Sequence, residues 1–130
     1  MAEKDYQKAP EPPKRTDKPW GYELLYAHTD QYVGKVIHIN KGGKLSLQYH
    51  DHKDETIYVM NGAMDYEYEG DDGQMKTVRM NAGMSYHTVP GQKHRMIALE
   101  DTDVLEVSTP QLGDVVRLED AYGRAGTSAP

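Results

Sequence analysis

The sequence predicts an all-β fold, a sandwich or barrel of short antiparallel strands. Three observations carry that expectation. Alternating, β-branched segments recur along the chain, as in Tyr32 to Ile39 (YVGKVIHI). Turn signals fall between them at intervals of roughly eight to twelve residues. No long segment repeats its apolar residues at the helical period.

The elements follow in order. Lys44 to His50 (KLSLQYH) alternates, with Leu45 and Leu47 on one face and Ser46, Gln48 and His50 on the other. Glu55 to Met60 (ETIYVM) runs into Asn61-Gly62, a strong tight-turn pair. Ala63 to Glu69 leads to a second hairpin turn, Gly70-Asp71-Asp72-Gly73, and Gln74 to Met80 is its partner strand. Met84 to Val89, Arg95 to Leu99 and Val104 to Ser108 complete the series. Asp114 to Gly123 has room for a short helical or extended cap.

A length of 130 residues suggests one domain, with a core that forms without staples. Residues 18–124 are expected to hold it. Residues 1–17, rich in Lys, Glu and Pro, read as a flexible arm, and residues 125–130 as a loose tail. The formal charge of −6 argues against a broad nucleic-acid surface, although a few local cations can still bind a small anion. The absence of cysteine excludes disulfides and thiolate sites within the sequence. No apolar run approaches the roughly 20 residues of a membrane span, and no secretory apolar core is visible, so the cytoplasm is the default expectation. Phenylalanine is absent and there are ten tyrosines, whose hydroxyls suit the wall of a polar cavity.

Two segments concentrate donor atoms. One is Gly42-x5-Gln48-x-His50-x-His52-x2-Glu55-x6-Gly62, and the other is Gly83-x6-Pro90-Gly91-x2-His94. Together they offer imidazoles, a carboxylate and an amide, a nitrogen and oxygen ligand set for one divalent ion. Gln48 and His50 lie two apart and project together from a strand. Glu55 opens the next strand and can point back at His50. His94 joins them only if the sheet curls so that distant hairpins meet. His52 competes with Gln48: imidazole is the better donor, but Asp51 to Asp54 reads as a turn. Each histidine alone also has a plainer reading, as a hydrogen-bonded structural side chain. His28 is expected at the surface, His38 on a strand facing either way, and His87 near the mouth of the site.

With those residues in view, the chain resembles the cupins, small double-stranded β-helix (jelly-roll) barrels. The first cupin motif, G-x5-H-x-H-x3or4-E-x6-G, is met without a gap by Gly42, Gln48, His50, Glu55 and Gly62, with Gln48 in place of the first histidine. The second motif, G-x5-P-x-G-x2-H-x3-N, is met by Gly83, Gly91 and His94, with proline one place late and Ala98 at the asparagine position. The chain is most similar to the type II phosphomannose isomerase branch. Its R-P-W-G, S-L-Q-x-H-H-H-R-A-E and V-R-L-E-D-x-Y-G-R motifs read here as Lys18 to Gly21, Ser46 to Glu55 and Val116 to Arg124. Members of that branch often carry a fused sugar-nucleotide transferase domain, which the 130 residues do not include.

The resemblance implies Gln48, His50, Glu55 and His94 as ligands of one divalent metal ion (Zn, Mn, Fe or Ni). It implies a sugar or sugar-phosphate isomerase or epimerase. Aldose–ketose exchange moves a proton between neighbouring carbons and needs charge stabilised on two oxygens, which a divalent cation supplies. His52, Lys44 and Tyr58 are the candidate proton carriers. Arg95, Arg79 and His87 are the candidate substrate-binding residues, and Lys44, Lys53 and Arg117 are further candidates for a phosphate clamp. An iron-dependent cupin oxygenase and a non-catalytic carbohydrate-binding cupin are the alternatives. A homodimer is expected by analogy, because open sheet edges invite pairing, with Trp20 and Asp114 to Arg124 packing the barrel ends or the subunit contact.

Overall fold

A computed structural model describes residues 5–125. Among the described residues, eleven strands make two antiparallel sheets. In chain order they are β1 (Lys14–Lys18), β2 (Gly21–His28), β3 (Val33–Ile39), β4 (Leu47–Tyr49), β5 (Glu55–Asn61), β6 (Ala63–Glu69), β7 (Met75–Asn81), β8 (Ser85–Thr88), β9 (His94–Ala98), β10 (Thr102–Ser108) and β11 (Val116–Glu119). One sheet runs β1-β2-β3-β10-β5-β8 and the other β11-β4-β9-β6-β7. From β3 to β11 the chain passes back and forth between them, with β6 and β7 as one hairpin within the smaller sheet, which is the jelly-roll winding of a double-stranded β-helix. Among the described residues no helix is long and apolar enough to cross a membrane.

Strand alternation divides each sheet into an inner and an outer face. On β3, β5 and β10 the inner positions include Ile37, Ile39, Ile57, Val59 and Val104, all at most 2% exposed. The facing sheet contributes Met64, Tyr66, Met80, Met96 and Ala98 to the same core, and Trp20 closes it from the β1–β2 turn. Each large apolar side chain buried in this way stabilises the fold by about 1.5–3 kcal/mol before the entropy of ordering it is subtracted.

The same inner faces turn polar at one end. Glu55 precedes Ile57 on β5, Glu106 follows Val104 on β10, and His94 precedes Met96 on β9; all three polar side chains are buried. The polar site therefore sits inside the barrel mouth, on the shoulder of the apolar core. The outer face of the larger sheet carries an in-register row, Leu24, Val36, Leu105 and Tyr58.

Gly62 follows the Asn61 turn at φ +86°, and a Cβ there would lie 2.4 Å from Asp101 O. Glycine meets both demands, the left-handed backbone and the close approach. Gly91, at φ +81°, donates its N–H to His50 O at 2.6 Å, tying the second motif to the first.

The N-terminal expectation needs correction. Lys14 to Asp17, read from sequence as part of a flexible arm, pair with Tyr22 to Leu25 as β1. The segment is polar because β1 is an edge strand with most of its side chains in solvent. Its partner β2 has a register shift between Leu25 and Ala27, which breaks the alternation that would have marked it. Lys44 to His50 is also less regular than expected: only Leu47–Tyr49 form β4, while Lys44 makes an isolated bridge to Ile97. The segment Asp114 to Gly123 is extended rather than helical, with β11 at its centre. Met1 to Lys4 and residues 126–130, at the tips of the expected arm and tail, lie outside the described residues.

Candidate metal centre

Three strands deliver the central cluster. His50 leaves the end of β4, Glu55 opens β5 and His94 opens β9. Their ligand atoms lie within 4.8 Å of one another, and all three side chains are at most 5% exposed. His50 Nε2 and His94 Nε2 each stand 3.2 Å from Glu55 Oε1.

The opposite ring nitrogens fix the tautomers. His50 Nδ1 faces Asp114 O, and His94 Nδ1 faces Gln92 O at 2.9 Å. A carbonyl only accepts, so each Nδ1 carries a proton, and in the neutral ring each Nε2 turns a lone pair toward the Glu55 carboxylate. Three acceptors converging without a positive charge between them would repel. A cation there resolves the conflict. Metal–ligand bonds of about 2.1 Å put neighbouring ligand atoms about 3.0 Å apart in octahedral and about 3.4 Å apart in tetrahedral coordination; the observed 3.2 Å lies between. The donor set therefore fits a divalent ion.

Gln48 lines the same cavity and pairs in register with His94 across β4 and β9. The His52 side chain is exposed, and its backbone N–H donates to Asp114 Oδ2 at 2.7 Å.

Asp114 organises this corner. Its carboxylate accepts from the backbone N–H groups of Asp51, His52 and Lys53 at 3.0, 2.7 and 2.9 Å, while its carbonyl holds His50. Burial alone would raise its pKa, but these amides outweigh that and draw it below its ordinary value.

Behind the cluster lies a buried ion-pair chain. Lys53 Nζ sits 3.4 Å from Glu55 Oε2 and 3.0 Å from Glu106 Oε2. The latter contact is off the hydrogen-bond direction, so Glu106 Oε2 is charge-paired yet has no hydrogen-bond partner among the described residues. Burial opposes ionisation of Glu55, but the Lys53 ammonium holds its pKa well below the usual carboxylate range. Burial and the neighbouring Glu55 charge push Glu106 the other way, upward.

Other side chains expected at the site stand elsewhere. Tyr58 belongs to the outer row of the larger sheet and is 43% exposed. Lys44 is half-buried at its bridge to Ile97. Arg79 lies on the outer side of β7, donating to Asn81 Oδ1 at 3.3 Å, and His87 is exposed beside Asp54. Arg95 points away from His94, donating to Leu45 O at 2.9 Å and Glu119 O at 3.3 Å, which buckles β9 to the C-terminal segment. None of these, nor His52, lines the cavity that holds the cluster. Tyr66 backs His94 with ring centroids 6.1 Å apart, and Tyr68 and Tyr86 pack around it.

Sequence reading missed the partnership of Lys53 with Glu55 and Glu106. Lys53 and Glu55 are two apart, the spacing of one strand face, which was the available signal. No local pattern marks Asp114, because its partners lie more than sixty residues away.

Residues 35–109 match the family described as the cupin domain. The chain belongs to the cupin family. This cupin is also 32% identical over 112 residues to mannose-1-phosphate guanylyltransferase of Escherichia coli (strain K12). That match covers 82% of the chain but only 22% of the relative, so the cupin spans about a fifth of that protein's length. Among solved structures, KdgF from Halomonas sp. superposes with a TM-score of 0.65 at 24% identity, covering 75% of this chain and 86% of KdgF. Oxalate decarboxylase from Bacillus subtilis superposes with a TM-score of 0.71 at 16% identity, over 88% of this chain and 34% of the enzyme. At these identities the two structures speak to the fold alone.

Proposed function

We propose that this cupin is a metal-dependent isomerase or epimerase of sugars or sugar phosphates, with Gln48, His50, Glu55 and His94 as the metal ligands. One observation carries the reading: two imidazole nitrogens and a carboxylate oxygen meet inside a cavity. The name of the mannose-1-phosphate guanylyltransferase relative supports the substrate class.

When bound, a divalent ion would supply Lewis-acid stabilisation of oxygens that gain negative charge. The chain's own residues do the rest. His50 and His94 are held by the carbonyls of Asp114 and Gln92, so their rings cannot turn away. Isomerisation also needs a group that takes and returns a proton. His52, Lys44 and Tyr58 remain candidates by sequence, but Glu106 has the better geometry, since it lines the cavity and Lys53 anchors its carboxyl.

The test is turnover with exchange. Metal-loaded protein is incubated with mannose 6-phosphate in deuterated water and followed by proton NMR. Conversion to fructose 6-phosphate, with deuterium incorporated at the exchanging carbon, is expected; Glu106→Gln should lose it while keeping its metal. No conversion and no exchange, with metal bound and mannose and mannose 6-phosphate both tried, would overturn the isomerase reading. Oxygen consumption by an iron-loaded sample would favour the oxygenase instead.

A further inference from the structure

We propose that Arg117, Lys18 and Arg124 form an anion subsite beside the metal centre, and that the ligand is a monosaccharide bearing a phosphate or carboxylate group at the end remote from the metal. The inference rests on the metal-centre reading above and adds the residues that select the substrate.

The register places the subsite. Arg117 on β11 pairs with Gln48 on β4, and Gln48 pairs with His94 on β9. Three residues in one row across adjacent strands share a face, so Arg117, Gln48 and His94 all look into the barrel. Two strand spacings put the Arg117 backbone about 10 Å from that of His94, a gap that one sugar ring and its anionic substituent can span. Arg117 is 7% exposed and lines the cavity.

Two further cations reach the same space from opposite ends of the chain. Lys18 ends β1 with its side chain 5% exposed, and Arg124 follows β11; both line the cavity. Two acids stand beside them, Glu23 in the cavity wall and Asp120 next to Arg124. Glu23 Oε2 serves two ammonium groups at once, Lys18 at 3.7 Å and Lys35 at 3.5 Å. Asp120 is committed to Arg124, accepting from Nε at 3.0 Å and Nη2 at 3.2 Å. The cations disturb one another: burial first and the Arg124 guanidinium second lower the pKa of Arg117, against the opposing pull of Asp120 and Glu23. Burial, opposed by Glu23 but joined by Lys35, Arg124 and Arg117, does the same for Lys18. An anion placed among them would relieve that repulsion with charge-assisted hydrogen bonds.

A second observation points to a ligand at the same place. Trp20 is 3% exposed and lines this cavity, and its indole N–H has no hydrogen-bond partner among the described residues. A buried donor left unused costs about 1–3 kcal/mol, and an oxygen-rich ligand would supply the acceptor.

Calorimetric titration of the metal-loaded protein tests the subsite, with mannose, mannose 6-phosphate and galacturonate as probes. One of the anionic sugars should bind at least about tenfold more tightly than mannose, and which one does so separates phosphate from carboxylate. Arg117→Gln and Lys18→Gln should each reduce that preference to about twofold or less, with mannose affinity and metal content unchanged. Lys18→Gln sits on an edge strand and remains informative if Arg117→Gln fails to fold. Equal binding of all three sugars by the parent, or a preference that survives Lys18→Gln and any folded Arg117 variant, would overturn the subsite. The isomerase reading fails differently, through absent turnover with the anion preference intact.

Discussion

Replacing Lys53 by methionine keeps the length of the side chain and removes its charge. In the parent, Nζ neutralises two buried carboxylates, Glu55 at 3.4 Å and Glu106 at 3.0 Å, with all three side chains at most 7% exposed. Without it the Glu55 carboxylate loses its counter-charge out of water, beside a Glu106 carboxyl whose pKa is already pushed upward. Breaking a buried ion pair by removing one partner costs about 3–5 kcal/mol. Each kcal/mol lowers the melting temperature of a domain this size by about 4 °C, so the metal-free variant should melt about 12–20 °C below the parent. The assay is differential scanning calorimetry in chelator. Adding Glu106→Gln removes the second acidic group that competes with Glu55 for ionisation, so Lys53→Met with Glu106→Gln should be more stable than Lys53→Met alone. Saturating divalent metal should also recover part of the loss, about 2.7 kcal/mol at a hundredfold excess over Kd, because the ion binds only the folded chain. A melting temperature for Lys53→Met within about 2 °C of the parent would mean that Lys53 is not buried between these carboxylates, and the reasoning would fail.

Other expectations follow from the segment that leads into β11 and closes the cavity. Asp114→Ala removes the acceptor for three backbone amides and should cost about 1–3 kcal/mol. By loosening the loop that carries His50 it should also weaken metal binding about tenfold; unchanged affinity in a metal titration would contradict the positioning role. The Asp120 carboxyl has its pKa drawn below its ordinary 3.8, because Arg124 outweighs the opposing effect of burial. A depressed carboxylate stabilises the fold above the unfolded value and loses that contribution as pH falls through the folded one. Asp120→Asn should therefore be less stable than the parent by about 1–2 kcal/mol at pH 7, with the gap constant down to about pH 4 and closing below it. Urea melts from pH 2 to 8 would show this, and a gap that widens on acidification would contradict it.

The residues legible from sequence are those whose message is local. Asn61-Gly62 and the Gly70 to Gly73 turn mark the ends of β5 and β6, and the strands they join alternate cleanly. The spacing of Gln48, His50, Glu55 and His94 was legible because strand periodicity and the cupin motifs agree on it. What could not be read were charges that face inward. Lys18 and Lys35 look like surface residues in a sequence, yet they line the barrel mouth together with Arg117, which sequence offered only as one of several candidate clamp cations. Their placement depends on pairing between the ends of the chain and its middle, such as Arg117 with Gln48. Arg95 and Tyr58 show the converse, since a difference of one position puts them on the opposite face from His94 and Ile57.

Metal stoichiometry, measured by elemental analysis of the purified parent, His50→Ala, His94→Ala and Lys8→Ala after equilibration with one divalent metal, bears most directly on the cluster. The geometry predicts one ion per chain in the parent and in Lys8→Ala, with occupancy largely lost from both histidine variants. Equal metal content in all four proteins would show that these imidazoles do not hold an ion, and the account of the cavity would have to be abandoned.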